Sequence, residues 1–206
     1  MRRALGALLA TSMSCAQQRR APAPPPPPPA VAIDPDLEAT QLQAYGGPRT
    51  ESFHAAKSER FWTRSTIYVA APIDRVRAVV VDYGAYAEIM PRTFQRSKVL
   101  KRDGLATDVY LQAEVMNGAA VMWVDEHFAA PVAEGKGEVV VATMNKGNVD
   151  DASGFWRFRG APGGTVVTIE LSIDPSASVP DKLMKREMER ACEDAALGVR
   201  RRAEVQ

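Results

Sequence analysis

The sequence predicts an α+β domain in which a curved antiparallel sheet of six to seven strands wraps a long C-terminal helix, with two short helices after the first strand. Three observations predict it. From Phe94 to Ile173 the chain is a succession of strand-like runs divided at Asp103-Gly104, Asn117-Gly118 and Gly163-Gly164, as consecutive hairpins require. Beyond Pro180, about twenty residues without a proline place Leu183, Met184, Met188, Cys192, Ala195 and Val199 on one stripe amid Lys, Arg and Glu. Behind Pro72 the apolar spacing changes from alternate residues to helical intervals.

The first fifteen residues, "MRRALGALLATSMSC", stand apart from this domain. A basic start, a short apolar run and small residues are the order of a secretion signal, and the run is too short to span a bilayer as a mature helix. Cys15 directly after it resembles the lipobox cysteine of bacterial lipoproteins, although Ser12 stands where that motif carries Leu. The expectation is export to the periplasm or cell envelope, with Cys15 lipidated as a membrane anchor. An ordinary signal peptide cleaved nearby is the alternative. Residues 16–58 read as a tether: "RRAPAPPPPPPA" cannot enter helix or sheet, because proline lacks the backbone donor and fixes φ. At about 3.1 Å per residue this spacer reaches roughly 30 to 35 Å. "DPDLEATQLQAY" then offers Asp34 as N-cap and Pro35 at the first helical position of a short helix, and "GGPRTESFH" reads as a polar loop.

The domain is expected over residues 59–206. "FWTRSTIYVAAP" alternates apolar and polar residues and is rich in β-branched and aromatic types, which suits a strand stopped by Pro72. Ile73, Val76, Val79 and Val80 follow at helical spacing, and Gly84 separates them from a second short helix carrying Tyr86, Ile89 and Met90 up to Pro91. The strands after Phe94 build one sheet with one dry face, as Val167, Ile169, Leu171 and Ile173 show against Thr168, Glu170 and Ser172. The C-terminal stripe must bury itself, and the sheet is the surface available to it.

Bulk composition excludes several functions. Hydrophobic content of 46% and charged content of 25% suit a globular domain, and a net charge of +1 argues against a nucleic-acid partner. Cys192 alone remains in the mature domain, so no internal disulfide and no cysteine metal cluster is expected. With only His54 and His127, no histidine-rich metal centre is expected either. No cofactor motif is present, and the domain is expected to act as a monomer.

Two stretches carry a family resemblance. "YVAAPIDRVRAVVVDYGAYAEIMPR" and "SGFWRFRGAPGGTVVTIELSIDPSASVPDKLMKREME" resemble the START-like, or SRPBCC, superfamily, in its coenzyme Q-binding and polyketide cyclase-like branch. The resemblance covers about residues 60 to 203. It implies a helix-grip fold with a cavity between sheet and long helix that holds an apolar molecule such as a lipid, isoprenoid or polyketide. In that frame Tyr83, Tyr86, Ile89 and Met90 form a wedge closing one end of the cavity, or else seal a core that holds no ligand.

Strand parity nominates the rest of the lining. Trp156 and Phe158 share one face of their strand and are placed inward, with Leu111, Val141, Ile169 and Trp123, or Met122 in its stead. Met184 and Met188 face them from the helix, where flexible thioethers adapt to irregular contents. The expected pocket is of the usual size, about 300 to 1,000 Å³. No catalytic residue is assigned. In "VDEHF", His127 is the candidate acid or base for an aromatase/cyclase alternative, but neighbouring strand residues face opposite sides, so Glu126 and His127 cannot both enter. A third reading is an envelope interaction protein whose outer face presents Phe155 and Arg157 to a partner.

Overall fold

The computed structural model describes residues 34–55, 60–176 and 178–205. The leader with Cys15 and the proline-rich spacer lie outside the described residues. Helix α1 (Pro35–Tyr45) starts on Asp34, whose carboxylate accepts from the amides of Asp36 and Leu37, and it ends at Gly46 with φ of 74°. Strands β1 (Arg49–His54) and β2 (Phe61–Val69) follow, then α2 (Ile73–Val80), a 3-10 turn (Tyr83–Ala85) and α3 (Tyr86–Ile89). Next come β3 (Arg96–Asp103), β4 (Ala106–Val115), β5 (Ala120–Phe128), β6 (Val132–Glu134), β7 (Gly137–Gly147), β8 (Asp151–Ala161) and β9 (Gly164–Asp174). Helix α4 (Asp181–Val205) closes the chain.

The described strands form one nine-stranded antiparallel sheet in the order β1-β2-β9-β8-β7-β5-β4-β3, with β6 pairing the start of β7. The α+β helix-grip architecture is therefore the one the sequence predicts, widened by two strands. One addition is β1, drawn from the stretch that reads as a polar loop. It pairs with β2 from Arg49 opposite Thr66 to His54 opposite Phe61. The other, β6, is three residues long and follows Pro131, too short to leave a periodic signal. The sheet thus starts ahead of residue 59. Helix α1 joins it by packing Ala39 and Leu42 on Tyr68 and Val166, with Glu38 held by Arg159 at 2.7 Å.

Predicted hairpin turns appear where left-handed backbone is needed, at Gly104, at Asn117-Gly118 and at Gly163. Gly84, in contrast, does not cap α2, which ends at Val80, and it sits inside the 3-10 turn that follows.

The main core lies between the inner face of the sheet and the helices α2, α3 and α4. Val76, Val79 and Val80 of α2 and Ala195, Ala196, Val199 and Ala203 of α4 belong to it. Small residues let α4 lie close to β2: Thr63 and Ser65 are fully buried there, and the Cys192 thiol reaches the Thr63 carbonyl at 3.6 Å. Burial pushes that thiol well above its ordinary range, so it stays protonated packing material.

Two polar ties fix α4 at its far side. The fully buried Asp194 accepts from the Arg92 amide and the Thr93 hydroxyl, both at 3.0 Å, and so holds the turn after α3. Glu204 accepts from the Ala70 amide at 2.9 Å. Between them, Gly198 faces the last carbonyl of α3, and a Cβ there would fall well inside contact distance of the Ile89 oxygen. Alanine is ordinarily worth up to about 1 kcal/mol over glycine within a helix. Here backbone cannot move aside cheaply, so Gly198→Ala is expected to cost about 1 to 3 kcal/mol. Urea unfolding of the variant measures it, and a gain in stability would show that α3 can step away from α4.

Candidate ligand-binding cavity

A cavity of about 150 Å³ lies between α4 and the inner faces of β4, β5, β7, β8 and β9. Its walls are almost entirely carbon. Leu111 and Ala113 come from β4, Val124 and Phe128 from β5, Ala142 from β7, Ala152 and Trp156 from β8, and Ile169 and Ile173 from β9. Met184, Met188 and Ala195 of α4 form the roof, with Tyr86 and Met90 at the α3 end. The lining residues that keep some exposure, such as Met116, Val179, Leu183 and Glu187, mark the open end. Arg190 stands there too, donating to Glu187 at 2.8 Å, with its Nε buried and without a hydrogen-bond partner.

The closed end is aromatic. Tyr83 lies 4.3 Å from Phe128 between ring centroids, Tyr86 meets Tyr83 edge-on at 5.6 Å, and Phe94 stacks on Tyr86 at 6.2 Å. The Tyr86 hydroxyl donates to the Val80 carbonyl at 2.7 Å, which ties α3 to the end of α2. Burial pushes its phenol well above the usual range, and Tyr83 and Glu126 add to the rise while the Trp156 indole opposes it. Burial likewise raises the Tyr83 phenol to about 12, with Arg102 pulling the other way. Both tyrosines remain neutral at any physiological pH.

Of the residues nominated from sequence, Tyr86, Met90, Leu111, Trp156, Ile169, Met184 and Met188 line the cavity. Tyr83 and Phe158 are buried in the core behind it. Two nominations are corrected. Trp123 points to the other side of the sheet and stacks on Tyr110 at 6.1 Å, because the inward residues of β5 are Met122, Val124, Glu126 and Phe128. Val141 also faces outward, into a cluster of Ala55, Trp62, Val139 and Phe155, while Val140 and Ala142 face the core. That outer cluster removes the surface assumed for a partner-binding Phe155, which is buried against Trp62 at 5.5 Å. The cavity is also smaller than the usual ligand pocket of about 300 to 1,000 Å³.

The same parity turns His127 out and Glu126 in. His127 lies 2.7 Å from Asp108 on the outer side of the β4–β5 pair. Glu126 sits opposite Val109 on β4 and Met144 on β7, is only 7% exposed, and makes no hydrogen bond to any described residue. Burial pushes its carboxyl up to about 7, and the charge of Asp151 adds to the rise. Sequence reading missed it, although choosing Met122 rather than Trp123 as the inward residue puts Glu126 on the cavity side by simple alternation.

The arrangement is shared with solved structures. A STAR-related lipid transfer protein from Xanthomonas axonopodis superposes with a TM-score of 0.66 at 19% identity, over 76% of this chain and 93% of that one. A START superfamily protein from Mycobacterium smegmatis gives 0.60 at 18%, over 70% and 97%. The Zhui aromatase/cyclase from a Streptomyces species gives 0.58 at 19%, over 76% and 94%. At such identities these likenesses establish the START-like fold and nothing finer. No curated protein matches the sequence. The model of the family described as polyketide cyclase / dehydrase and lipid transport matches residues 69–197, which run from the end of β2 through most of α4. With well over half of the chain matched, and with the helix-grip cavity in place, this protein belongs to the polyketide cyclase / dehydrase and lipid transport family.

Proposed function

We propose that the protein binds an apolar small molecule in the cavity beneath α4, holding it out of water without covalent chemistry. The observation that carries this reading is the carbon-lined hollow, open at one end and stoppered by Tyr86 at the other. Removing apolar surface from water contributes roughly 25 cal/mol per Å². The enclosed volume suits a compact hydrocarbon body, and a longer ligand extends through the open end past Leu183 and Val179. The proposal extends to an exported, membrane-anchored protein. Its support is the order of residues 1–15 with Cys15, followed by the proline run.

Ala142 and Ala152, on the adjacent strands β7 and β8, are two of the small residues of the cavity floor. Replacing both by leucine fills the hollow, and binding of an apolar fluorescent probe is expected to fall at least about tenfold, equivalent to about 1.4 kcal/mol, with the fold retained. Native mass spectrometry of protein from its own host should show a bound organic mass in the wild type that the double variant lacks. Unchanged probe binding in the double variant would place the ligand elsewhere and sink the reading.

Glu126 favours a second reading, an aromatase/cyclase acting on a polyketide-like chain. A carboxyl raised to about 7 inside a carbon-lined cavity can give or take a proton at neutral pH. Turnover of a poly-β-ketone substrate that disappears in Glu126→Gln while apolar binding persists would establish it.

A further inference from the structure

Resting on the binding reading above, we infer that Glu126 makes the cavity selective for apolar molecules bearing an uncharged oxygen acceptor, such as a ketone carbonyl, on the part that reaches the closed end. Along β5 the cavity runs from Met122 near the β4–β5 hairpin, past Val124, to Glu126 and Phe128, and Phe128 is packed against the closing tyrosines. Glu126 therefore lies toward the closed end. It is more than nine-tenths buried, lines the cavity, and has no hydrogen-bond partner among the described residues.

The charged and titratable groups facing this region arrive from several elements. Tyr86 of α3 has its hydroxyl proton committed to the Val80 carbonyl. Asp151 of β8 is held by Arg60 at 2.6 Å. Glu170 of β9, though part of the wall, directs its carboxylate to Arg64 and Arg157. Glu114 of β4 and the Glu187–Arg190 pair of α4 stand at the open end. The cross-strand neighbours Val109 and Met144 carry no charge. No cation is paired with Glu126 among the described residues, and the nearby charge that acts on it is the negative Asp151.

Such a site treats ligands unequally. A pure hydrocarbon that displaces the surrounding water leaves the Glu126 carboxyl buried with nothing to bond, which is costly. An anionic headgroup at that depth would meet the buried Glu126 carboxyl with no cation among the described residues paired to it, and the negative charge of Asp151 acts on the same site. A carbonyl oxygen accepts the proton of the neutral acid and satisfies it. That proton is available because burial already favours the neutral form, and a ligand that seals the cavity favours it further. Binding then takes up a proton when it occurs above pH 7.

A matched pair of probes tests this: tetralin and 1-tetralone, which differ by one carbonyl, titrated calorimetrically against the intact chain. The quantity read is the preference for the ketone, as the ratio of the two dissociation constants. In the wild type at pH 6 this preference is expected to exceed that of Glu126→Leu by about tenfold, the worth of one net hydrogen bond. Between pH 6 and 8.5 it is expected to fall in the wild type. In Glu126→Gln, which keeps an N–H donor, it stays high and flat. Equal preference in wild type and Glu126→Leu, or a wild-type preference that ignores pH, overturns the selectivity while leaving the binding reading intact. Failure of both probes to bind the wild type overturns the binding reading, and the selectivity with it.

Discussion

Replacing Glu170 by alanine is expected to lower the unfolding free energy by about 3 to 5 kcal/mol, the cost of leaving buried countercharges without their partner. Glu170 is 2% exposed in the middle of β9. Arg64, its direct cross-strand neighbour on β2, reaches it at 2.5 and 2.6 Å, and Arg157 of β8 pairs with its other oxygen. Each arginine has a second carboxylate, Glu51 of β1 at 3.1 Å and Glu134 of β6 at 2.9 Å. The chain Glu51–Arg64–Glu170–Arg157–Glu134 thus links residues of five strands, β1, β2, β9, β8 and β6, on the outer face. Arg64 also lies over Phe53 and Arg157 over Phe155, so neither guanidinium can swing to water without uncovering an aromatic ring. Exposed pairs such as Asp74–Arg77 contribute far less, about 0 to 1 kcal/mol, and Asp74→Ala serves as the control. Urea unfolding of the two variants measures the contrast. A Glu170→Ala loss no larger than the Asp74→Ala loss would show that the arginines resolvate freely and that the network stores little.

The second large effect concerns pH. Glu126 titrates near its ordinary 4.5 in the unfolded chain and at about 7 in the fold. Between those values the native state holds a proton that the unfolded state has released, so stability falls as pH rises through this window and is level above it. At about 1.4 kcal/mol per unit, the full excursion is roughly 3 kcal/mol. Glutamine cannot ionise, so Glu126→Gln loses this slope. The variant and the wild type are expected to be alike in stability at pH 4 and to diverge up to pH 8, with the variant the more stable. Denaturation at pH 4, 6 and 8 reads the difference directly, and a gap that stays constant across the three would mean that Glu126 is solvated in the native state.

These expectations differ in how far they were visible beforehand. The stripe Leu183, Met184, Met188, Cys192, Ala195 and Val199 defines α4 without ambiguity, because one face of a solvent-bordering helix is polar and the other is not. The hairpin turns were legible for a similar reason, since positive φ restricts the residues that can occupy them. Strands β5 and β7 were not. Their outward residues are themselves apolar, Trp123 against Tyr110 and Val139 with Val141 against Trp62 and Phe155. Alternation then gives no sign of which side is wet, and choosing Trp123 over Met122 reverses the strand. That single step hid Glu126 and brought His127 forward in its place. Strand β1 escaped for another reason: a six-residue edge strand with polar side chains on both faces has the composition of a loop.

By itself the sequence determined the order of the main elements, the long amphipathic helix and the hairpin positions, because each rests on local periodicity or on a turn with strict backbone needs, and its two motif-bearing stretches carried the family resemblance. Tertiary structure alone decided which faces of β5 and β7 turn inward, that the buried acid is Glu126, and that about 150 Å³ is left unfilled beneath α4. The physical reason is that facing and residual volume arise from how separate elements approach one another, as Gly198 against Ile89 and Asp194 against the α3 turn set the seat of the helix.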